Sequence, residues 1–173
     1  IFKAGVNLKD GSRFTPYVSS GCYGLYGVNA ESFIAGEYLS SDFEHPDDHP
    51  KIEQAIKASF ENLTPLREEF RIITKTGETK WIQAVAQPQI LPGGFIVSDG
   101  VLLDISDRKR LESEQQRLLD VLEATPDYIG IASANGEILW HNKQLREFRQ
   151  DLVNYKSISE FHPAWVNDII LNQ

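Results

Sequence analysis

The stretch EFRIITKTGETKWI, Glu69 to Ile82, decides the fold that the sequence predicts. Apolar and β-branched residues lie on both sides of Thr76-Gly77-Glu78, a tripeptide typical of a tight turn between two strands. A second turn signal, Pro92-Gly93-Gly94, precedes another β-branched segment. The pattern therefore predicts three consecutive antiparallel strands: Glu68 to Lys75, Thr79 to Gln87 and Phe95 to Leu103.

Upstream of this meander the sequence predicts a further strand pair. Asp10-Gly11 separates two short extended segments, Phe2 to Leu8 and Arg13 to Ser19. Glycine tolerates the positive φ of a hairpin turn, so the two segments are predicted to pair as antiparallel strands.

Helices are predicted between the strand pair and the meander. A brief helix opens at Asn29 or Ala30 and includes Phe33 and Ile34. A longer amphipathic helix is predicted over Lys51 to Leu63, because these apolar residues recur at helical spacing: Ile52, Ile56, Phe60 and Leu63. The fold class is therefore α+β, with five antiparallel strands and helices on one face of the sheet.

The segment Asp107 to Glu123 predicts a different kind of helix. Four residues recur at spacings of four, three and four, as in the contact seam of a short two-stranded coiled coil: Leu111, Gln115, Leu118 and Leu122. An isolated helix of this length is marginal in water. We therefore expect this linker helix to pair with its twin in a homodimer.

After Pro126 the chain echoes its own beginning. A hairpin is predicted from Tyr128 to Trp140 around the turn Asn135-Gly136, and His162-Pro163 echoes His45-Pro46. The echo stops before an equivalent of the meander. The predicted organisation is a sensory domain over 1–106, a linker helix over 107–124 and an incomplete second unit over 125–173. Whether that unit is ordered or domain-swapped stays open.

Four motifs occur in order along the first hundred residues: His45-Pro46-Asp47-Asp48, Glu69-Phe70-Arg71-Ile72, Thr76-Gly77-Glu78-Thr79-Lys80-Trp81-Ile82, and Gly100-Val101-Leu102-Leu103-Asp104-Ile105-Ser106-Asp107-Arg108-Lys109. Together they resemble a PAS sensory domain of the HPDD-containing subgroup with its C-terminal PAC segment, which is common in sensor histidine kinases. The resemblance covers about residues 1 to 109, and a truncated second PAS-like unit begins near Thr125.

The resemblance implies a signalling exit where the last strand becomes the linker helix. The matching residues here are Asp104 and Arg108, which are the candidates for signal relay. Ser106 is a plausible helix N-cap. Asp107 would place a carboxylate in the first turn, where the helix dipole favours a negative charge. The alternative is that these residues only cap and solvate the junction, because a cap and a switch use the same contacts.

Six aromatic residues are candidates for lining a pocket between sheet and helices: Phe14, Tyr17, Phe33, Phe60, Phe70 and Trp81. The alternative is that they are simply core, because a small domain needs large apolar side chains for stability.

Cofactor signals are missing. Pro46 and Pro50 keep His45 and His49 off the regular helix that would aim both rings at one metal ion, so no metal site is predicted. Cys22 lacks the flanking residues of flavin-binding relatives, and the predicted helix over Lys51 to Leu63 lacks the histidine of haem-binding relatives. Covalent flavin and haem are therefore not expected, and the cofactor remains unknown.

Composition narrows the function classes. The net charge of -8 argues against nucleic acid as a partner, and no apolar stretch is long enough for a bilayer. A single cysteine favours a reducing, cytoplasmic location. Because Met is absent even at position 1, we expect a piece of a longer protein.

Catalysis is not predicted within this chain, since it lacks phosphate-loop and nucleophile-elbow motifs and His141 lacks the surroundings of a phospho-accepting histidine. The sequence therefore predicts the sensory and relay region of a two-component sensor histidine kinase, with an unknown small-molecule ligand and a downstream kinase domain in the same polypeptide. The alternatives are a ligand-free dimerisation or spacing module, or the sensory region of a cyclic-dinucleotide synthase or transcriptional regulator.

Overall fold

The computed structural model describes residues 1–148 and residue 157. The chain divides into two compact units, Ile1–Arg110 and Leu111–Gln173. In the described part of the chain, no helix combines the length and the apolar character needed to cross a membrane.

The first unit is built on a five-stranded sheet, with every neighbouring pair antiparallel in the order β2-β1-β5-β4-β3. Its strands are β1 Phe2–Asn7, β2 Arg13–Val18, β3 Leu66–Ile73, β4 Thr79–Leu91 and β5 Phe95–Asp104. The helices between β2 and β3 are α1 Cys22–Tyr26, α2 Ala30–Ile34 and α3 His49–Asn62, with a 3₁₀ turn over Ser40–Phe43. This is an α+β fold, and it confirms the predicted five-stranded architecture.

The core of the first unit follows from strand alternation. Along β4, Ile82, Ala84 and Ala86 are buried, while the residues between them are partly exposed. The helices complete the core with Phe33 and Ile52. Burying one such large apolar side chain contributes roughly 1.5–3 kcal/mol, so this face supplies most of the driving force for folding.

Helix α3 begins two residues earlier than predicted, at His49, with Pro50 in its first turn, where the missing N–H costs nothing. Ile52 is 1% exposed and anchors the helix to the core. The helix ends at Leu63, which adopts the left-handed region at φ 52° and whose N–H donates to the carbonyl of Ser59. Pro65 prevents continuation.

Helix α4 covers Ser106–Ala124, close to the predicted Asp107 to Glu123. None of its residues is buried, and residues 110–121 are all exposed.

The second unit contains a short hairpin and a helix: β6 Gly130–Ala132, β7 Ile138–His141 and α5 Lys143–Phe148. Gly136 turns between the strands at φ +77°, in the predicted Asn135-Gly136 turn. The predicted echo at His162-Pro163 lies outside the described residues.

Candidate ligand cavity and signalling junction

A cavity of about 960 Å³ lies against the inner face of the sheet in the first unit. Helix α2 packs against β2 and helix α3 packs against β3, at opposite edges of the sheet. The space between them is lined by residues from all five strands and by one side of α3. A volume of this size lies within the range of small-molecule sites.

Four of the six predicted pocket aromatics line this cavity: Phe14, Phe33, Phe60 and Phe70. Tyr17 and Trp81 lie outside its lining. Tyr17 is 50% exposed on the edge strand β2. Trp81 precedes the fully buried Ile82 on β4, and successive strand residues point to opposite faces, so its ring lies on the other side of the sheet.

Gly5 makes room on β1 for the ring of Phe14, which lines the cavity. A Cβ at this position would lie 2.7 Å from Cζ of Phe14 and 2.9 Å from the carbonyl oxygen of Ile96. Both distances are too short for a real contact, so the ring of Phe14 reaches over the strand only because residue 5 has no side chain.

Tyr26 and Glu44 also line the cavity, and sequence reasoning missed both. Tyr26 ends the short helix α1, and Glu44 follows the 3₁₀ turn. Burial raises the pKa of the Tyr26 phenol, and the negative charge of Glu44 raises it further. Neither residue belongs to a periodic segment, so no local pattern indicated that they would face a cavity.

Asp48, the last residue of the HPDD motif, binds Arg71. Its Oδ2 accepts from the backbone N–H of Arg71 at 2.9 Å and from Nε at 3.0 Å, and its Oδ1 accepts from Nη2 at 2.6 Å. These bonds lower the pKa of Asp48 to about 2. Asp48 occupies the N-cap position of α3, but its side chain makes no capping hydrogen bond. The carboxylate is instead committed to β3.

His45 of the motif and His49, which follows the motif, have separate partners. Nδ1 of His49 lies 2.7 Å from Oε2 of Glu44, and Nδ1 of His45 accepts from the backbone N–H of Asp47 at 3.3 Å. Among residues 1–148 and 157, no three His, Cys, Asp or Glu side chains are grouped to hold a metal ion.

Cys22 is 4% exposed and lies outside the cavity lining. Its Sγ donates to the carbonyl of Val28 at 3.4 Å, and burial raises the pKa of the thiol. Cys22 is therefore a packed side chain of the core.

The junction between β5 and α4 is tied to β4 at two points. The backbone N–H of Trp81 donates to Oγ of Ser106 at 3.0 Å, and the N–H of Ile105 donates to the carbonyl of Trp81 at 2.9 Å. Ser106 is the first residue of α4, and its hydroxyl accepts from a strand N–H. Ser106, the expected N-cap, is thus the first helical residue, and its side chain connects the helix to the sheet.

Asp104 ends β5, and its Oδ1 accepts from the backbone N–H of Ser106 at 2.9 Å. Its Oδ2 lies 3.7 Å from Nζ of Lys80. Partial burial raises the pKa of Asp104, but the bonds from Ser106 and the charge of Lys80 outweigh it, so the pKa lies below its ordinary value. Asp104 therefore joins the end of β5 to both β4 and the helix start.

Arg108 reaches back to β3. Its Nη2 donates to Oε1 of Glu69 at 2.8 Å, while Nζ of Lys109 lies 2.8 Å from Oε2 of the same carboxylate. The hydrogen bond from Lys109 and the charge of Arg108 hold the pKa of Glu69 below its usual range, against the opposing effect of burial. Sequence reasoning included Glu69 in a motif but missed its bond to Arg108, which lies 39 residues away in the chain.

Two cations lie close to the ring of Trp81. Nζ of Lys109 is 5.1 Å from the ring centroid, and Cζ of Arg71 is 5.8 Å from it. Arg71 also carries the bond to Asp48, so polar contacts run from the start of α3 across β3 and β4 to the first turn of α4. These contacts join the outer face of the sheet to the first turn of α4.

The predicted seam of the linker helix is largely exposed in a single chain. Leu111 is 57% exposed and Leu118 is 54% exposed, Gln115 is exposed, and Leu122 is half-buried.

Within the second unit, Asn142 is fully buried and its amide connects three segments. Nδ2 donates to the carbonyls of Leu122 and Asp127, at 3.2 and 2.8 Å, while Oδ1 accepts from the N–H groups of Ile129 and Leu145, both at 3.1 Å. The end of α4 is thereby bonded to the hairpin.

A family model described as the PAS fold matches residues 15–94 of the chain. The chain is also 34% identical, over 94 residues, to the uncharacterized protein y4lL of Sinorhizobium fredii (strain NBRC 101917 / NGR234). That match covers 54% of this chain, and the chain spans only 11% of the relative's length.

Solved structures give the same fold. A sensory box histidine kinase/response regulator from Burkholderia thailandensis E264 is 25% identical with a TM-score of 0.52, covering 72% of this chain and 91% of that one. The N-terminal domain of a diguanylate cyclase with PAS/PAC sensor from Marinobacter aquaeolei is 17% identical with a TM-score of 0.51, covering 62% of this chain and 97% of that one.

Proposed function

We propose that the first unit is a PAS domain and that the chain is the sensory and relay region of a cytoplasmic sensor histidine kinase. The likeness to the Burkholderia thailandensis protein, whose name includes a histidine kinase, supports this output. The kinase domain would follow in the same polypeptide, and the region described here would itself perform no catalysis. The likeness to part of a diguanylate cyclase keeps a cyclic-dinucleotide synthase as the alternative.

The observation that carries the proposal is the bonding of α4 to the strands whose other face lines the cavity. Ala84 of β4 faces the cavity, while Trp81 of the same strand bonds Ser106 at the helix start. A ligand that displaces β4 would therefore displace the first turn of α4. Asp104 and Arg108 would relay this displacement, since they bond the helix start to Lys80 and Glu69.

The linker helix would carry the displacement across a homodimer. Its exposed leucines recur at coiled-coil spacing, and pairing with a second copy would remove Leu111 and Leu118 from water. Two crossing geometries of such a pair would form the two signalling states.

Beyond the linker, we propose that residues 125–173 begin a second PAS domain. Two observations support this: the hairpin of β6 and β7 repeats the turn chemistry of β1 and β2, and Asn142 bonds it to the end of α4. A signal in the helix would then reach this unit directly.

The homodimer is tested by Leu118→Glu. A charge in the seam would have to be buried without a partner, so we expect the dimer dissociation constant to rise by at least about tenfold. Sedimentation equilibrium of the whole chain measures this. The matched control is Ser113→Glu, which adds the same charge outside the seam and should leave the dimer intact. Equal effects of the two substitutions, or an undisturbed dimer in Leu118→Glu, would contradict the proposal.

The relay is tested by Asp104→Ala in a fusion of this chain to a histidine kinase core. Loss of the bonds to Ser106 and Lys80 should loosen the helix start and change basal autophosphorylation severalfold. Asp99→Ala removes a carboxylate from the same strand, where it is 3.2 Å from Lys3 and away from the junction, and should leave the rate unchanged. An unchanged rate in Asp104→Ala, at equal dimer content, would exclude Asp104 as a relay residue.

A ligand-free spacing module is the remaining alternative. The cavity of about 960 Å³ favours a ligand-binding sensor over it, because a pure spacer needs no internal space.

A further inference from the structure

The cavity contains one carboxylate that is taken almost completely out of water. Glu44 is among its lining residues, and the side chain is only 6% exposed. Its Oε2 is paired with Nδ1 of His49 at 2.7 Å. A carboxylate has about four acceptor positions, and His49 occupies one of them, so a donor inside the cavity can bind at the others.

The other charged residues of the lining are arranged differently. Arg13 lies 3.7 Å from Glu53, and Lys57 lies 3.9 Å from Glu61. Their side chains are between 49% and 74% exposed, so water screens their charges. Glu44 is therefore the charge that acts at short range, in a poorly hydrated environment, on a molecule inside the cavity.

Aromatic rings adjoin this carboxylate. The centroid of Tyr26 lies 5.2 Å from that of Phe33, and both residues line the cavity. The centroid of Tyr26 also lies 5.0 Å from that of Phe43, the residue that precedes Glu44 in the chain. Burial raises the pKa of the Tyr26 phenol, and the negative charge of Glu44 raises it further. Faces of aromatic rings attract cations, and a nearby carboxylate strengthens that attraction while repelling anions.

The rest of the inner wall is apolar, with Phe60 on α3, Phe70 on β3 and Ala84 on β4. We propose that the cavity binds an organic ammonium: an apolar body lies over the sheet, and a protonated amine donates to Glu44 beside the ring of Tyr26. This rests on the proposed sensory function and names the ligand class of the same cavity.

The proposal is tested with three probes that share one hydrocarbon body: hexylammonium, 1-hexanol and hexanoate. Their binding to the whole 173-residue chain is measured by isothermal titration calorimetry at pH 7. Hexylammonium should bind at least about tenfold more tightly than hexanol, as expected for a hydrogen bond to a charged group, and hexanoate should bind most weakly. Equal or tighter binding of hexanol or hexanoate would overturn the proposal.

Glu44→Gln should reduce hexylammonium affinity to the level of hexanol and leave hexanol affinity unchanged. Retained hexanol binding also shows that the variant is folded; if it does not fold, the order of the three probes on the unmodified chain decides. The matched control is Glu37→Gln, which removes one charge from an exposed residue outside the cavity and should preserve the preference for the amine. Equal losses of hexylammonium affinity in the two variants would mean that the net charge of the protein alone attracts the amine, and this would overturn the assignment.

Failure of this inference is distinct from failure of the sensory function. Binding of hexanol without a preference for the amine would show a ligand site of another chemistry and overturn only the ammonium assignment. Absence of binding by all three probes would also overturn it, while the dimer and autophosphorylation measurements would still test the relay.

Discussion

The inner face of the five-stranded sheet is held by burial, whereas the opposite face carries directional polar contacts. On the inner side Ile72 and Ile82 are completely buried. On the other side Arg71 and Trp81, which are register partners on β3 and β4, are joined by a cation–π contact, and Lys109 of α4 contacts the same ring. Burial is not directional, so it stabilises the fold without orienting a helix. Ion pairs and hydrogen bonds depend on geometry, so they can orient the helix start.

The largest effect expected from this comparison is on the inner face. Ile82→Ala removes a side chain with no exposed surface, so the free energy of unfolding should fall by about 2–5 kcal/mol through lost burial and a residual cavity. Urea denaturation followed by circular dichroism measures it. Leu103→Ala is the control. Leu103 is 50% exposed on β5, so this substitution should lower the free energy of unfolding far less. Similar losses at the two positions would mean that the faces do not differ as described.

The next effect concerns the bond between α3 and β3. Asp48→Asn should lower the free energy of unfolding at pH 7 by about 2 kcal/mol, since Arg71 lowers the pKa of this carboxyl from 3.8 to about 2. A carboxyl with a lowered folded-state pKa stabilises the protein above its ordinary pKa. The contribution is lost as the pH falls from about 4 to about 2.

Denaturation of both proteins at several pH values checks this, and the difference between them should shrink on acidification. Asp47→Asn is the control, because Asp47 is 73% exposed and contacts Nη2 of Arg71 at the longer distance of 3.5 Å, so it should contribute much less. A difference for Asp48→Asn that does not depend on pH would show that the charge of Asp48 is not what stabilises this contact.

The smallest effect is at the helix start. Ser106→Ala removes the acceptor for the N–H of Trp81 and should cost about 1 kcal/mol. It should also speed amide exchange at Trp81 more than elsewhere in β4, which hydrogen exchange resolves. Ser113→Ala, at an exposed position of the same helix, should change neither. Unaltered exchange at Trp81 would mean that the hydroxyl does not hold the junction.

Strand positions were predictable wherever neighbouring residues decide them. Turn signals and alternation placed β4 at Thr79, but the strand extends to Leu91, past the predicted end at Gln87. Pro88 has no N–H to donate, which argues against an interior strand position. In the structure β3 pairs with β4 only as far as Ala86, so beyond this residue β4 pairs with β5 on one side and with no other described strand on the other. Pro88 is tolerated because of that tertiary arrangement.

Site residues were less predictable than strands. Phe14, Phe33, Phe60 and Phe70 combine an aromatic side chain with a predicted element, and they line the cavity. Glu44 comes from an irregular segment, where no periodicity indicates which side chains are buried. The roles of Asp104 and Arg108 stay predictions, although the structure shows that their partners include Lys80 and Glu69.

By itself, the sequence determined the five strands, the helices α2, α3 and α4 and the order in which they occur, because alternation, helical spacing and turn residues act between neighbours along the chain. Only the tertiary structure decided that the side chain of Glu44 would be buried at the cavity, and that Glu69 would bond both Arg108 and Lys109. These contacts join segments far apart in the chain. They depend on how the sheet and helices pack together, which local sequence patterns do not specify.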